Sequence, residues 1–177
     1  LGAHMIHSVW ATTAPDQLAL VDDRRQLTWA EADAEIEALR AGLLARLGLV
    51  RGQSVLLMME NRVEYLLVWA ALMRAGAGAV HASWRLEPDE LAYQLEHSGA
   101  TVALVDRPRQ ETLEATLEDR PDLEVTPVVL GPAPIGHDRM SYEELRAPLP
   151  ARSHRPWGER APDGSQERGS ANVVYTS

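Results

Sequence analysis

The chain has 177 residues, a formal net charge of −9 and no cysteine. This length suffices for one domain with a hydrophobic core, and the lack of cysteine excludes disulfides and cysteine-based metal sites or nucleophiles. All 17 basic residues are arginine, so no lysine amine in the chain can form a Schiff base or contact a phosphate. The acidic balance argues against nucleic-acid binding, because such a surface repels a phosphate backbone.

We expect neither a targeting signal nor a membrane span. The letters "LGAH" precede Met5, and we interpret residues 1–4 as a cloning scar. The stretch after Met5 lacks the apolar region of a signal peptide. The longest apolar run, "YLLVWAALM", is far shorter than the roughly 20 residues that cross a bilayer. A cytoplasmic location is therefore expected, and the absence of cysteine fits a reducing compartment.

The first predicted element is a helix over 29–47, in the stretch "LTWAEADAEIEALRAGLLARLG". Its apolar residues recur at helical spacing. Thr28 and Glu31 have the spacing of a capping box, in which each side chain bonds the backbone of the other residue. Gly48 is placed to end the helix in a left-handed conformation.

A buried strand and a buried helix are predicted next. The strand lies in "QSVLLMME", and Asn61 is predicted to cap the helix "RVEYLLVWAALMRA". This helix is apolar on nearly all sides, so we expect Trp69 and Leu72 to be buried. Gly76 is expected to end it, and "AGAVHAS" is predicted to form the following strand.

The second half of the pattern repeats this alternation. Pro88 suits the first turn of a helix in "PDELAYQLEHS", which is followed by a strand in "TVALVD" and a weaker helix over 109–118. The next strand, "EVTPVVL", contains Pro127, which suggests an edge position. Ser141 and Glu144 form a second predicted capping box, at the start of a short helix in "SYEEL".

Alternating helices and buried strands predict an α/β fold with a largely parallel sheet flanked by helices over residues 5–146. Residues 147–170 are rich in Pro, Gly, Ser and Arg, so we expect a linker or a long exposed loop there. Residues 171–177, "ANVVYTS", resume the character of a strand.

The residues themselves define no catalytic constellation. The chain has no zinc-protease spacing and no nucleophile elbow, so we assign no metal site. Carboxylate pairs such as Asp22 and Asp23 are interpreted as solvated turn residues. His81 ends a strand, the end at which α/β sheets bind ligands, although a buried, hydrogen-bonded histidine is the more common explanation.

Two further features leave alternatives open. Trp84 and Arg85 could form a stacking surface or be an ordinary exposed loop pair. Thr176 and Ser177 follow a strand, as at the start of some phosphate-binding loops, in which backbone amides and hydroxyls converge on phosphate oxygens. Any strand can end in this way, so the residues alone do not decide.

The ordered pattern resembles a known family. The stretches "LTWAEADAEIEALRAGLLARLGLVRGQSVLLMMEN", "VEYLLVWAALMRAGAGAVHASWRLEPDELAYQLEHSGATVALVD", "SYEEL" and "NVVYTS" are similar, in order and spacing, to the AMP-forming acyl-adenylate enzymes. That family includes acyl-CoA synthetases, peptide-synthetase adenylation domains and luciferases. The resemblance implies that the chain is the N-terminal portion of the large domain of such an enzyme, truncated at the phosphate loop.

The resemblance also implies roles for individual residues. Thr176 and Ser177 match the start of the loop that grips the ATP phosphates, and the remainder of that loop, the ribose-binding acid and the lid domain would lie beyond the chain. We therefore expect no catalytic residue within these 177 residues and no activity of the chain alone. His81, Ser83, Trp84 and Arg85 would form one wall of the substrate pocket.

The reaction implied by the resemblance has two steps. A carboxylate attacks Mg-ATP to give an acyl-adenylate and pyrophosphate, and coenzyme A then displaces AMP to form a thioester. The wording "RLEPDELAYQLEHSGA" is most similar to acyl-CoA synthetases acting on fatty or similar acids. Ser83 stands where many relatives have asparagine, and Glu87 replaces the usual Thr or Ser, which removes a normal helix cap.

Three alternatives remain beside this interpretation. The protein could be an adenylation domain that loads a carrier protein instead of coenzyme A. It could be one piece of an enzyme cleaved in the phosphate loop, with the remainder bound as a second chain. It could also be a non-catalytic subdomain that acts as an interaction module.

Overall fold

The computed structural model describes residues 6–131, 139–149 and 172–174. The helices of this part are α1 (Ile6–Thr13), α2 (Trp29–Arg46), α3 (Val63–Ala75), α4 (Pro88–Ser98), α5 (Gln110–Asp119) and α6 (Tyr142–Arg146). The strands are β1 (Leu18–Val21), β2 (Gln26–Thr28), β3 (Ser54–Met58), β4 (Gly78–His81), β5 (Val102–Asp106), β6 (Thr126–Leu130), β7 (Met140–Ser141) and β8 (Asn172–Val174). A 3₁₀ turn over Arg107–Arg109 precedes α5.

A six-stranded sheet in the order β7-β6-β5-β3-β4-β8 forms the centre of the described structure. Every neighbouring pair in this sheet is parallel. Strands β1 and β2 form a separate antiparallel pair. The prediction of an α/β fold with a largely parallel sheet is therefore confirmed.

The sheet is covered on both faces by helices. Along β3, Val55 and Leu57 belong to one hydrophobic cluster, with α2, α3 and α6, whereas Leu56 and Met58 belong to a second cluster, with α4 and α5. Successive side chains of a strand point to opposite faces, so an apolar run of this kind is buried on both sides.

The predicted helix ends are confirmed at several positions. Thr28 and Glu31 form both bonds of the capping box at α2, and Ser141 and Glu144 do the same at α6. Gly48 and Gly76 have φ values of 63° and 73°, the left-handed conformation in which a residue without Cβ is favoured.

The predicted cap of α3 is wrong. The helix begins at Val63 rather than directly after Asn61, and its N-cap residue, Arg62, makes no capping bond with its side chain. Instead, the Val63 amide donates to Oδ2 of Asp22, 2.9 Å away in the turn between β1 and β2. A residue 41 positions earlier in the chain thus satisfies this helix end, which local spacing does not reveal.

Two predictions about burial and pairing also need correction. Leu72 is fully buried, as predicted, but Trp69 is only partly buried. Pro127 does not lie on an edge strand, because β6 pairs with both β5 and β7. However, β7 pairs only with Val128 and Val129. The Thr126 amide donates to the carbonyl oxygen of Thr101, on the side of β6 that faces β5. The backbone nitrogen of Pro127 therefore points to the opposite side of β6, at a position that β7 does not reach. This position suits a residue that lacks an N–H.

The expected loss of a normal cap at α4 is observed in part, because the side chain of Glu87 makes no N-cap hydrogen bond of the usual kind. Glu87 occupies the N-cap position, and its amide donates to the carboxylate of Glu90 at 3.1 Å. The substitution that the sequence marks as unusual therefore still allows the reciprocal interaction of a capping box.

Helix α1, the β1–β2 pair and β7 are absent from the sequence-based pattern. The strands among them have four, three and two residues, too few for a hydrophobic period to stand out. Helix α1 is held by tertiary contact instead, since the ring of Trp10 stacks on Trp29 with 6.2 Å between centroids.

Most of the predicted linker over 147–170 lies outside the described residues and stays a prediction. No helix in the described ranges combines the length and the hydrophobicity needed to pass through a bilayer.

Candidate functional site

The topology creates a crevice at the carboxyl ends of the central strands. Strand β3 lies between β4 and β5. Helix α3, which follows β3, covers one face of the sheet, whereas α4 and α5, which follow β4 and β5, cover the other. The connections that follow neighbouring strands therefore run to opposite faces of the sheet. Open α/β sheets bind ligands in the crevice that forms at such a point.

On the β5 side of this crevice, a buried aspartate anchors the loop that follows β3. Asp106 ends β5 and is only 4% exposed. Its Oδ2 accepts from the Glu60 amide at 2.6 Å, and its Oδ1 accepts from Nη1 of Arg62 at 2.8 Å. The loop between β3 and α3 is thus tied to the end of the neighbouring strand.

The anchor continues into a network of ion pairs. Arg62 Nε donates to Glu64 at 2.8 Å, and Arg25 contacts Glu64 at 3.3 Å. Arg25 also binds both carboxylate oxygens of Glu35, at 2.6 and 3.1 Å, and the hydroxyl of Tyr142 donates to Glu35 at 2.8 Å. The network joins the β1–β2 turn, α2, α3 and α6.

The electrostatics of the network follow from this mutual pairing. Burial raises the pKa of Glu64, but the hydrogen bonds and charges of Arg62 and Arg25 outweigh that effect and hold the pKa below its usual value. Burial and the adjacent Glu35 carboxylate raise the pKa of the Tyr142 phenol. Glu64 therefore stays ionised as a partner of arginine, and the ion pairs of this network form a structural arrangement rather than acid–base machinery.

A surface cavity of about 340 Å³ lies next to this network, between the loop after β3 and the ends of β5 and β6. Its polar lining includes Arg62 and Asp106, which already bind each other. The cavity is on the opposite side of β3 from β4, so it does not contain the site residues predicted from the sequence.

On the β4 side, a histidine and a tyrosine form a close pair. His81 ends β4, and its Nδ1 lies 2.5 Å from the hydroxyl of Tyr65 on α3. The two rings are stacked, with centroids 5.8 Å apart and an interplanar angle of 25°. Burial raises the pKa of the Tyr65 phenol, so this group remains protonated.

The turn that follows His81 is exposed. The Arg85 amide donates to Oγ of Ser83 at 3.3 Å, which bends the chain between β4 and α4. The guanidinium carbon of Arg85 lies 5.1 Å from the centre of the Trp84 ring, a cation–π distance. Trp84 is 43% exposed, so this pair offers a flat, positively charged surface at the edge of the sheet.

The last described strand leads to the same place. Strand β8 pairs with β4 in parallel, with Val174 opposite His81. Thr176 and Ser177 lie outside the described residues, so their predicted role stays a prediction. The structure does bring His81, Ser83, Trp84 and Arg85 to one end of β4. Nowhere in the described ranges do three or more His, Asp or Glu side chains form a group that could hold a metal ion.

Tyr65 and the ion-pair network are not among the residues predicted from the sequence. Asp106 could have been found, since it ends a predicted strand just as His81 does. Asp22 was interpreted as solvated, whereas it caps α3 and accepts bonds from the amides of Arg24 and Arg25. Nothing in the sequence pairs Tyr65 with His81, because the two lie on different elements 16 positions apart.

Comparisons with known proteins agree on one family. A family model described as "AMP-binding enzyme" matches residues 8–177. The chain is 38% identical over 96 residues to a 2-succinylbenzoate–CoA ligase of Geobacillus kaustophilus, covering 54% of this chain and 19% of that protein. It is 33% identical over 108 residues to a long-chain-fatty-acid–CoA ligase of Salmonella typhimurium, covering 61% of this chain and 19% of that protein.

A solved structure shows the same relationship. The apo structure of MbtA from Mycobacterium smegmatis superposes with a TM-score of 0.72 and 28% sequence identity, over 89% of this chain and 28% of that one. The chain thus spans about a fifth of the length of the curated relatives it matches, at 19% of each of the two ligases.

Proposed function

Because the chain belongs to the AMP-binding enzyme family, we propose that it forms the first part of the large domain of an AMP-forming acid–CoA ligase. In the proposed reaction, an oxygen of a carboxylic acid attacks the α-phosphate of ATP. The bond to pyrophosphate breaks, and an acyl-adenylate forms. The thiol of coenzyme A then attacks the acyl carbon, AMP leaves, and a thioester remains. The observation that supports this most directly is the family match, which extends through β8 to residue 177.

The proposal gives the carboxyl ends of β4 and β8 the main role. We assign Thr176 and Ser177 to the start of the ATP phosphate loop, and His81, Ser83 and Arg85 to the facing wall, together with Trp84. The register of β8 supports this assignment, because the last paired residue of this strand, Val174, lies opposite His81. Backbone amides at such a strand end can converge on phosphate oxygens.

Magnesium does not fit the described carboxylates of this chain. Asp106 and Glu64 at the crevice are already bound by arginines, and the described residues contain no acidic group of three that could hold an ion. Mg²⁺ bound to the ATP phosphates would supply positive charge at the phosphoryl group, but no step of the proposal depends on side chains of this chain holding it.

We propose that the chain supports and orients the reaction rather than carrying it out. The sequence contains no lysine, and the arginines of the crevice network are engaged with carboxylates. The exposed Arg85 is available to attract an anionic substrate. The proposed partners are a fatty or aromatic carboxylic acid, ATP and coenzyme A, and the proposed location is the cytoplasm.

Acid-dependent exchange of radiolabelled pyrophosphate into ATP tests the adenylation step. The complete protein that contains this chain should catalyse exchange with at least one member of a panel of fatty and aromatic acids, and only when the acid is present. The 177-residue chain should show none. Thioester formation, followed by mass spectrometry, then tests coenzyme A as the acceptor.

Two results would contradict the proposal. Exchange by the pure 177-residue chain would show that the required groups lie within it. A complete protein that exchanges with no acid in the panel, while binding ATP, would overturn the assignment as an adenylating enzyme.

A further inference from the structure

The exposed segment between β4 and α4 contains a β-turn. The Leu86 amide donates to the carbonyl oxygen of Ser83 at 3.2 Å, which is the bond between the fourth and first residues of such a turn. Trp84 and Arg85 are therefore its two central residues, and both are exposed. The turn presents these side chains together, with the guanidinium of Arg85 over the Trp84 ring.

The last residue of this turn is held from a neighbouring part of the fold. The carbonyl oxygen of Leu86 accepts from Nη2 of Arg109, which lies in the 3₁₀ turn that follows β5. Two residues after Leu86, the carbonyl oxygen of Pro88 accepts from the buried hydroxyl of Thr116 on α5 at 3.3 Å. The segment that follows β5 thus holds the chain at two points where α4 begins.

Arg109 is not placed to stabilise the helix that it precedes. It occupies the N-cap position of α5 without a capping bond from its side chain, and a positive charge at the N-terminus of a helix is unfavourable. Its guanidinium instead reaches Leu86, 23 positions earlier in the chain. A hydrogen bond from a charged donor is stronger than one between neutral groups, so this contact ties the exposed turn to the end of β5.

We infer that Arg109 is a positioning residue that fixes the turn bearing Trp84 and Arg85, so that these two side chains meet an anionic substrate in a preformed arrangement. Arg109 acts through the turn and does not itself contact the substrate. The inference rests on the proposed function, which assigns Trp84 and Arg85 to the substrate wall. A surface that is already ordered loses less conformational entropy when a ligand binds, which lowers the KM.

Arg120 provides a matched control at the other end of α5. Its guanidinium binds Glu96 on α4 at 3.1 Å and Asp122 at 2.7 Å, so it also links the segment after β5 to the segment after β4. Arg120 is the C-cap residue of α5, whereas Arg109 is the N-cap residue. Arg120→Met therefore removes the same charge and a link between the same two segments as Arg109→Met, but at the end of α5 remote from Arg109.

Amide hydrogen exchange, measured by NMR on the 177-residue chain, tests whether Arg109 holds the turn. In Arg109→Met, the Leu86 amide should exchange about tenfold faster, the effect of losing one good hydrogen bond, while the Leu56 amide in the central strand β3 keeps its rate. Arg109→Lys retains a donor and should give an intermediate rate, and Arg120→Met should leave the rate of Leu86 unchanged.

Two results of this experiment would overturn the inference. One is an unchanged rate for Leu86 in Arg109→Met, and the other is the same acceleration in Arg120→Met. If Arg109→Met does not fold, Arg109→Gln takes its place, because its shorter side chain also lacks the guanidinium.

Steady-state kinetics of the complete protein test whether the turn is used. Arg85→Ala should raise the KM for one anionic substrate about tenfold, the effect of losing one hydrogen bond to a charged group. Arg109→Met should raise the same KM by a smaller factor and leave kcat unchanged, because it weakens binding alike in the ground state and the transition state. Since Arg109 acts through the turn, the double variant should be no worse than Arg85→Ala alone.

The outcome of the kinetics separates the possible failures. The KM that changes, for the acid or for ATP, identifies which anion the turn binds. Losses that multiply in the double variant would show that Arg109 contributes independently of the turn, and an unchanged KM in Arg85→Ala would show that the turn meets no anionic substrate; either result refutes the inference. If the unsubstituted complete protein shows no pyrophosphate exchange, the proposed function fails, and the amide-exchange result still decides whether Arg109 holds the turn.

Discussion

Replacing Gly42 by alanine should destabilise the chain, although alanine is the better helix former. Gly42 is a buried residue in the middle of α2. A Cβ built on it would lie 2.9 Å from the carbonyl carbon of Leu145 in α6 and still closer to the carbonyl oxygen. Real Cβ atoms essentially never come within 3.0 Å of such atoms, so α2 and α6 would have to move apart.

The size of the effect follows from what this separation disturbs. Leu145 is fully buried, and Tyr142 on the same short helix donates to Glu35 across the interface. Overpacking of a core costs about 1–3 kcal/mol, and a weakened hydrogen bond to a charged group adds about 1.5–3 kcal/mol. The higher helix propensity of alanine offsets these losses by only about 1 kcal/mol. We expect a net loss of about 3 kcal/mol.

Urea unfolding of the 177-residue chain, followed by circular dichroism, measures the change. Ala41→Gly is the matched control, because it reverses the substitution at the neighbouring position of α2 and should cost about 1 kcal/mol through propensity alone. A gain in the free energy of unfolding for Gly42→Ala, of the size that Ala41→Gly loses, would show that the close approach of α6 to α2 is incorrect.

Two further predictions concern α3. Leu72→Ala should lower the free energy of unfolding by about 2–5 kcal/mol, because Leu72 is 0% exposed. Leu66→Ala is the control, since Leu66 lies on the same helix but is 49% exposed, and it should cost much less. Equal losses of the two variants in urea unfolding would contradict the orientation of α3. Hydrogen bonds from the amides of Val63, Arg24 and Arg25 lower the pKa of Asp22 from 3.8 to about 2. A lowered pKa stabilises the fold above the unfolded value, so the stability advantage over Asp22→Asn should be complete above pH 3.8 and vanish as the pH falls to about 2. A difference that does not depend on pH would show that the charge of Asp22 is not involved.

The elements that could be predicted from the sequence are those specified by neighbouring residues. Helix α2 is a clear case: its apolar period, the Thr28–Glu31 box and Gly48 are all local signals, and the structure contains each of them. The buried strands were predicted for the same reason, since a short apolar run between turns has few alternatives. Consistency among local signals made these predictions reliable.

The parts that could not be predicted depend on residues far apart in the chain. Asp22 caps a helix that begins at Val63, and Arg25 pairs with Glu64, 39 positions away. Each of these charged residues, taken alone, is typical of a solvated surface. Only the fold brings the partners together, so neither the network nor the Tyr65–His81 pair leaves a pattern that spacing could reveal.

The two sides of the crevice differ in how their arginines are bound, which bears on the proposed site. On the β5 side, Arg25 and Arg62 each bridge two carboxylates, so moving one segment would break pairs in the others. Breaking a buried pair leaves an uncompensated charge and is strongly destabilising, and this side therefore behaves as a rigid support. On the β4 side, Arg85 instead stacks on the exposed Trp84. An arginine that is not held by such a network can bind an anionic ligand at little cost, which supports the proposed assignment of the substrate wall to the β4 side.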